Sequence, residues 1–152
     1  MATRFELTCE ELVSSPRTWL VTGAAGFIGS HLVQSLLSLE QRVIGLDNFA
    51  TGSADNLEQV RQTTPRPQLS RFSFIEGDVT CPADCHRACE GADFVLHQAG
   101  LGSVPRSLKD PLASHEANVT GFVNMLIAVR GQKVRRLVYA SSSSVYGDSA
   151  EL

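Results

Sequence analysis

Three glycines spaced three apart, Gly23, Gly26 and Gly29, follow directly on the apolar run Trp19-Leu20-Val21-Thr22. The first permits a tight strand-to-helix turn, the second removes a side chain where a diphosphate must approach the backbone, and the third lets helix and strand pack closely. Phe27 and Ile28 open the helix that follows, whose unpaired N–H groups and positive dipole end would face the phosphates. Asp47 stands 18 residues after Gly29, at the end of the next apolar run. A carboxylate there accepts hydrogen bonds from the ribose hydroxyls of an adenine dinucleotide and repels a 2′-phosphate, so NAD is favoured over NADP. Asp78-Val79 and Gln98-Ala99 follow two further apolar runs. Asp78 would offer an oxygen to the adenine amine, and the small residues after His97 would admit the nicotinamide end. His97 itself reads as a satisfied core histidine.

These residues need a scaffold that brings strand ends together. Five short runs supply it: 19–22, 42–46, 72–76, 94–97 and 136–140. All but the third are nearly continuous in apolar character, as strands covered on both faces are. Helical patterns alternate with them over 27–39, 55–62 and 82–89, and from Asp110-Pro111 to a glycine stop at Gly131. In the first of these, Ile28, Leu32, Ser35, Leu36 and Leu39 form the expected stripe, widened by Val33 and Leu37. Pro65-Arg66-Pro67 reads as a breaker. Strand-helix alternation predicts an α/β fold with a doubly wound parallel sheet of Rossmann type over 18–152, preceded by a helical extension over 1–17.

Composition narrows the class. A chain of 152 residues with 43% hydrophobic content supports one core. A net charge of -3 gives no field for nucleic acid, and no apolar run approaches a membrane span or a signal region. The expectation is a cytoplasmic protein with neither nucleic acid nor membrane as partner. Cys81, Cys85 and Cys89 recur every four residues, but this lacks the tight spacing and fourth ligand of a metal site, and they read as buried helix residues.

In order, the glycine motif, Asp78-Val79, His97-Gln98-Ala99-Gly100, Asn118-Val119-Thr120-Gly121 and the run Ser141 to Asp148 resemble the extended short-chain dehydrogenase/reductases, in their nucleotide-sugar epimerase and dehydratase group. More narrowly, residues 46–52 and 101–107 are similar to bacterial UDP-N-acetylglucosamine 4-epimerases of polysaccharide biosynthesis. The resemblance implies NAD as cofactor, with Asn48 and Asn118 among its contacts, and a UDP-sugar as substrate. It implies Ser142 as the catalytic serine, Ser143 as a neighbouring sugar contact, and Gly102 and Ser103 as a sugar-contacting loop. The reaction implied passes through a transient 4-keto sugar. Related dehydratases carry an Asp-Glu pair where Ser143 and Ser144 stand, which favours epimerisation.

The family's tyrosine-x-x-x-lysine pair is absent: Tyr139 is followed four residues on by Ser143 and Tyr146 by Ala150. The chain is therefore expected to be the N-terminal portion of a longer, homodimeric epimerase, inactive alone. The alternatives are a non-catalytic nucleotide-binding module, or part of a related reductase or dehydratase. The long helix would supply the dimer's helical bundle, leaving a flank around Met125 and Val129 exposed and the domain marginal or prone to aggregate.

Overall fold

A computed structural model describes residues 2–147. In chain order the elements are α1 (Arg4–Ser14), β1 (Thr18–Thr22), α2 (Phe27–Ser38), β2 (Arg42–Asp47), α3 (Ala54–Thr63), α4 (Arg66–Leu69) and β3 (Phe72–Glu76). There follow α5 (Pro82–Cys89), β4 (Phe94–His97), α6 (Val104–Lys109), α7 (Pro111–His115), a π-helical turn (Glu116–Thr120), α8 (Gly121–Gly131) and β5 (Arg136–Tyr139). A short 3-10 turn spans Ser143–Tyr146.

The five strands form one parallel sheet in the order β3-β2-β1-β4-β5. Successive side chains of β1 go to opposite faces. Leu20 joins Leu46, Val95, Cys85, Cys89 and Met125 under α5 and α8, while Val21 joins Val33, Leu37, Val43 and Val60 under α2 and α3. Two covered faces are why β1, β2 and β4 read as unbroken apolar runs; β5, expected to be covered likewise, is an edge strand with Val138 and Tyr139 about half exposed. The order of strand addition reverses between β1 and β4: β2 and β3 extend the sheet to one side, β4 and β5 to the other. Ligands bind such sheets at the carboxyl ends of the strands beside this switch point.

Three expectations need correction. The buried stripe of α2 is Gly29, Ser30, Val33, Leu36 and Leu37, while Ile28 is 58% exposed. Small residues at its start let the helix sit close under the Gly23-Ala24 turn, so they mark the contact face. The long helix is interrupted: the π-helical turn adds a residue to the spiral, rotating everything after it by about 100°. Met125 is consequently buried and Val129 packs partly against the same core, whereas Val119, Val123, Leu126 and Ile127 face outward. The Pro65-Arg66-Pro67 segment starts the short helix α4 instead of only ending α3.

The N-terminal helix is fastened by Gln41, which is fully buried. Its Oε1 accepts from the Arg17 N–H and the Trp19 indole, and its Nε2 donates to the carbonyls of Leu12 and Leu39. All four bonds of the amide are thereby made, and α1 is tied to the start of β2. Cys85 and Cys89 lie in the core as small apolar fill; burial pushes their thiols up to about 12 and about 11. Among the described residues no cluster of His, Cys, Asp or Glu could hold a metal, and no helix is long and apolar enough to cross a membrane.

Candidate functional site

A cleft opens at the carboxyl ends of the strands, beside the switch point. Its walls are the glycine turn (Gly23, Gly26), the ends of β2 (Asp47, Asn48) and β3 (Gly77 to Thr80), the loop after β4 (Gln98 to Leu101), and Glu116 and Ala117 of the π-helical turn. Gly23 has φ +67°, and a Cβ there would press on the Ala99 N at 2.9 Å. Gly29 lies under the turn and does not line the cleft: a Cβ would stand 2.0 Å from the Gly23 carbonyl oxygen. Gly26 precedes α2 and provides no side-chain cap, so the first N–H groups of that helix are left to an external acceptor. Phe27 and Ile28 direct their side chains to solvent and can contribute only backbone.

Asp47 is buried, and its carboxylate accepts the N–H of Ala25 at 2.9 Å and of Phe49 at 2.7 Å. It thereby joins the end of β2 to the glycine turn while lining the cleft. Asp78 accepts from the Asn48 amide at 2.7 Å and the Thr80 N–H at 2.8 Å. Burial tends to raise its pKa, but the bonds from Thr80 and Asn48 outweigh that and hold it below the ordinary carboxylate value.

Thr22 organises the fourth wall. Its hydroxyl oxygen accepts the N–H of Gln98 at 3.2 Å and of Ala99 at 3.1 Å, and lies 2.8 Å from His97 Nδ1. With both lone pairs occupied, the hydroxyl must donate to Nδ1, which places the ring proton on Nε2. Burial pushes the pKa of His97 down to about 4.

Asn118 does not line the cleft. It projects from the π-helical turn and pairs with the backbone of Leu101, accepting its N–H at 2.7 Å and donating to its carbonyl at 3.0 Å. It thus holds the loop that leads to Gly102 and Ser103. Gly102 is exposed, and Ser103 caps α6, its Oγ accepting the Arg106 N–H at 3.4 Å. Ser142 is exposed just beyond β5, and its carbonyl accepts the Val145 N–H. The side chains of Ser143 and Ser144, and residues 148–152 including Asp148 and Ala150, lie outside what is described. Of the candidates, Gly23, Gly26, Asp47, Asn48, Asp78, Val79, Gln98 and Ala99 meet around one cleft; Gly102, Ser103 and Ser142 do not line it.

Thr22, Ser53 and Asn56 also shape the site and were not among the residues singled out by spacing. Thr22 had the signal of preceding the first glycine. Ser53 and Asn56 reach the turn from the next βα connection, and such contacts leave no periodic trace.

A parallel sheet with a glycine turn at its switch point and an acid closing the second strand defines a Rossmann-type nucleotide-binding fold. The chain belongs to the NAD dependent epimerase/dehydratase family, which matches residues 19–152. It is 37% identical over 134 residues to a UDP-glucose 4-epimerase of Erwinia amylovora, an alignment covering 86% of this chain and 38% of that protein. Among solved structures it resembles a UDP-glucose 4-epimerase from Stenotrophomonas maltophila with bound NAD and formylated UDP-arabinopyranose (TM-score 0.80, 31% identity, 90% of this chain and 40% of that one). A UDP-N-acetylglucosamine 4-epimerase from Methanobrevibacter ruminantium, in complex with UDP-N-acetylmuramic acid, is similar as well (TM-score 0.77, 30% identity, 90% and 41%). The chain spans about two-fifths of the length of these relatives.

Proposed function

We propose that this chain is the NAD-holding portion of a nucleotide-sugar 4-epimerase. The observation that carries this is the cleft at the switch point, where bare backbone at Gly23 and Gly26 faces the carboxylates of Asp47 and Asp78. The glycine cradle, which a Cβ would fill, fits a diphosphate, and the acids fit the adenosine half. NAD, when bound, supplies the hydride acceptor and donor for passage through a 4-keto sugar. Gly26 and the first N–H groups of α2 hold the diphosphate, and Thr22 sets the backbone of Gln98 and Ala99 at the nicotinamide end. Asn118 fixes the loop bearing Gly102 and Ser103, which with Ser142 and Ser143 we assign to the sugar. Ser142 supplies a hydroxyl to the reacting sugar oxygen.

The substrate we favour is UDP-N-acetylglucosamine with its galacto isomer, or their uronic acids, supported by the small residues at 102, 103, 142 and 143 and by the likeness to an epimerase of that class. The tyrosine-x-x-x-lysine pair is absent from the 152 residues, and we expect no turnover by the chain alone. Cytoplasmic polysaccharide biosynthesis is the setting that fits such a substrate.

Calorimetric titration tests this reading. Wild type should take up NAD and bind NADP at least about tenfold more weakly, because a 2′-phosphate would meet Asp47. Asp47→Ala should weaken NAD at least about tenfold without rescuing NADP, since the Ala25 N–H loses its acceptor as well. Equal affinity of wild type for the two dinucleotides, or unchanged NAD affinity in the variant, would refute the assignment.

We further propose a homodimer through α7 and α8. Leu112 of α7, Val119 of the π-helical turn, and Val123 and Leu126 of α8 are 66%, 48%, 47% and 43% exposed, an apolar surface suited to pairing with a second copy. Sedimentation should show a dimer that Val123→Glu converts to monomer; a monodisperse wild-type monomer at high concentration would count against it.

A further inference from the structure

We propose that Asn56 is a positioning residue for the diphosphate-binding turn, holding the Ala25 carbonyl and with it the peptide that carries the Gly26 N–H. The inference rests on the NAD reading above and adds a residue outside the glycine motif.

Ala25 is fully buried between the first two glycines, and every polar atom of its backbone is engaged from the second βα connection. Its N–H donates to Asp47, and its carbonyl accepts the Ser53 N–H at 3.0 Å and the Asn56 Nδ2–H at 2.7 Å. Gly52 closes on the same residue, with space for a Cβ only 2.9 Å from the Ala25 carbonyl carbon. The Ala25 carbonyl and the Gly26 N–H belong to one planar peptide. Rotating that carbonyl turns the Gly26 N–H away from the Gly23 carbonyl, to which it donates at 3.0 Å, and tilts the entry to α2. Of the two bonds fixing the carbonyl, only that from Asn56 comes from a side chain. The amide of Asn56 does nothing for its own helix: the Ser53 Oγ caps α3 through the Asp55 N–H.

The position of Asn56 in the first turn of α3 separates a positioning role from a structural one. Asn56→Asp is nearly isosteric and places a negative charge where a helix N-terminus favours it, while setting an oxygen against the Ala25 carbonyl. Asn56→Ala removes the bond without adding charge. Titrations of the 152-residue chain with NAD and with adenosine, beside thermal melts, give the readouts. Both variants should bind NAD about five- to tenfold more weakly with adenosine affinity retained, and Asn56→Asp should melt no lower than Asn56→Ala. Unchanged NAD affinity would overturn the proposal. So would NAD and adenosine binding falling together with the melting temperature, or a fall confined to the charged variant, which reports repulsion of the diphosphate. Wild type failing to bind NAD is a separate result, visible before any variant, and refutes the functional reading itself.

Discussion

Replacing Gly29 by alanine should cost about 4 kcal/mol or more of unfolding free energy and abolish NAD binding. The added Cβ would stand 2.0 Å from the Gly23 oxygen, 2.7 Å from the Gly23 carbonyl carbon and 3.0 Å from the Ala24 Cα. All three are backbone atoms, so no rotamer change relieves the contact. The turn cannot retreat, because Gly23 already lies against the loop after β4 and the Ala24 N–H is bonded to the Leu46 carbonyl. The helix must move instead. Val33 and Leu37 of α2 are fully buried against the sheet, and shifting them opens that core. Gly131→Ala is the control: nothing lies within 4 Å of a Cβ there, and the change should be neutral or slightly stabilising. Urea unfolding with NAD titration checks both, and a Gly29→Ala protein of wild-type stability would show that the turn is not closed by contact.

The difference between these two glycines shows which parts of the molecule a sequence discloses. Spacing alone identified Gly29 because the chemistry of a diphosphate turn has a fixed repeat. The strands were equally legible, since burial on both faces leaves unbroken apolar runs such as those containing Leu20 and Val95. Helix orientation was not. Periodicity counts large apolar residues, but α2 approaches the sheet through Gly29 and Ser30, and α8 is rotated by one extra residue at Glu116–Thr120. Polar tethers were the least visible. Gln41, Asn56 and Asn118 each bond to backbone brought close by folding, Asn56 to Ala25 across 31 positions, and no local pattern announces such a partner. The helix α6 leaves little trace, because it is six residues long and buries none of them, so the start signals of Ser103 and Pro105 have no apolar face behind them.

Acid should weaken this fold through His97 before it reaches the carboxylates. The ring is 5% exposed, packed against Phe122, and neutral with its Nδ1 accepting from Thr22. Burial lowers its pKa from the ordinary imidazole value of 6.5 to about 4. Between those values the unfolded chain binds a proton that the folded chain refuses, so unfolding is favoured as pH falls. The loss begins near pH 6.5, grows to about 3 kcal/mol by pH 4, and then levels off as the folded ring also protonates. Asp78, held below the ordinary 3.8, contributes its own loss mainly at lower pH. The protonated ring would need Nδ1–H to donate to a Thr22 oxygen whose lone pairs already hold Gln98 and Ala99. Charging His97 therefore loosens the loop at the nicotinamide end, and NAD affinity should fall over the same range. His97→Asn keeps an acceptor for the Thr22 hydroxyl but cannot titrate, so its unfolding free energy should be nearly flat from pH 6.5 to 4 relative to wild type. Chemical denaturation at half-unit pH steps measures the difference, and parallel profiles for the two proteins would remove His97 as the cause.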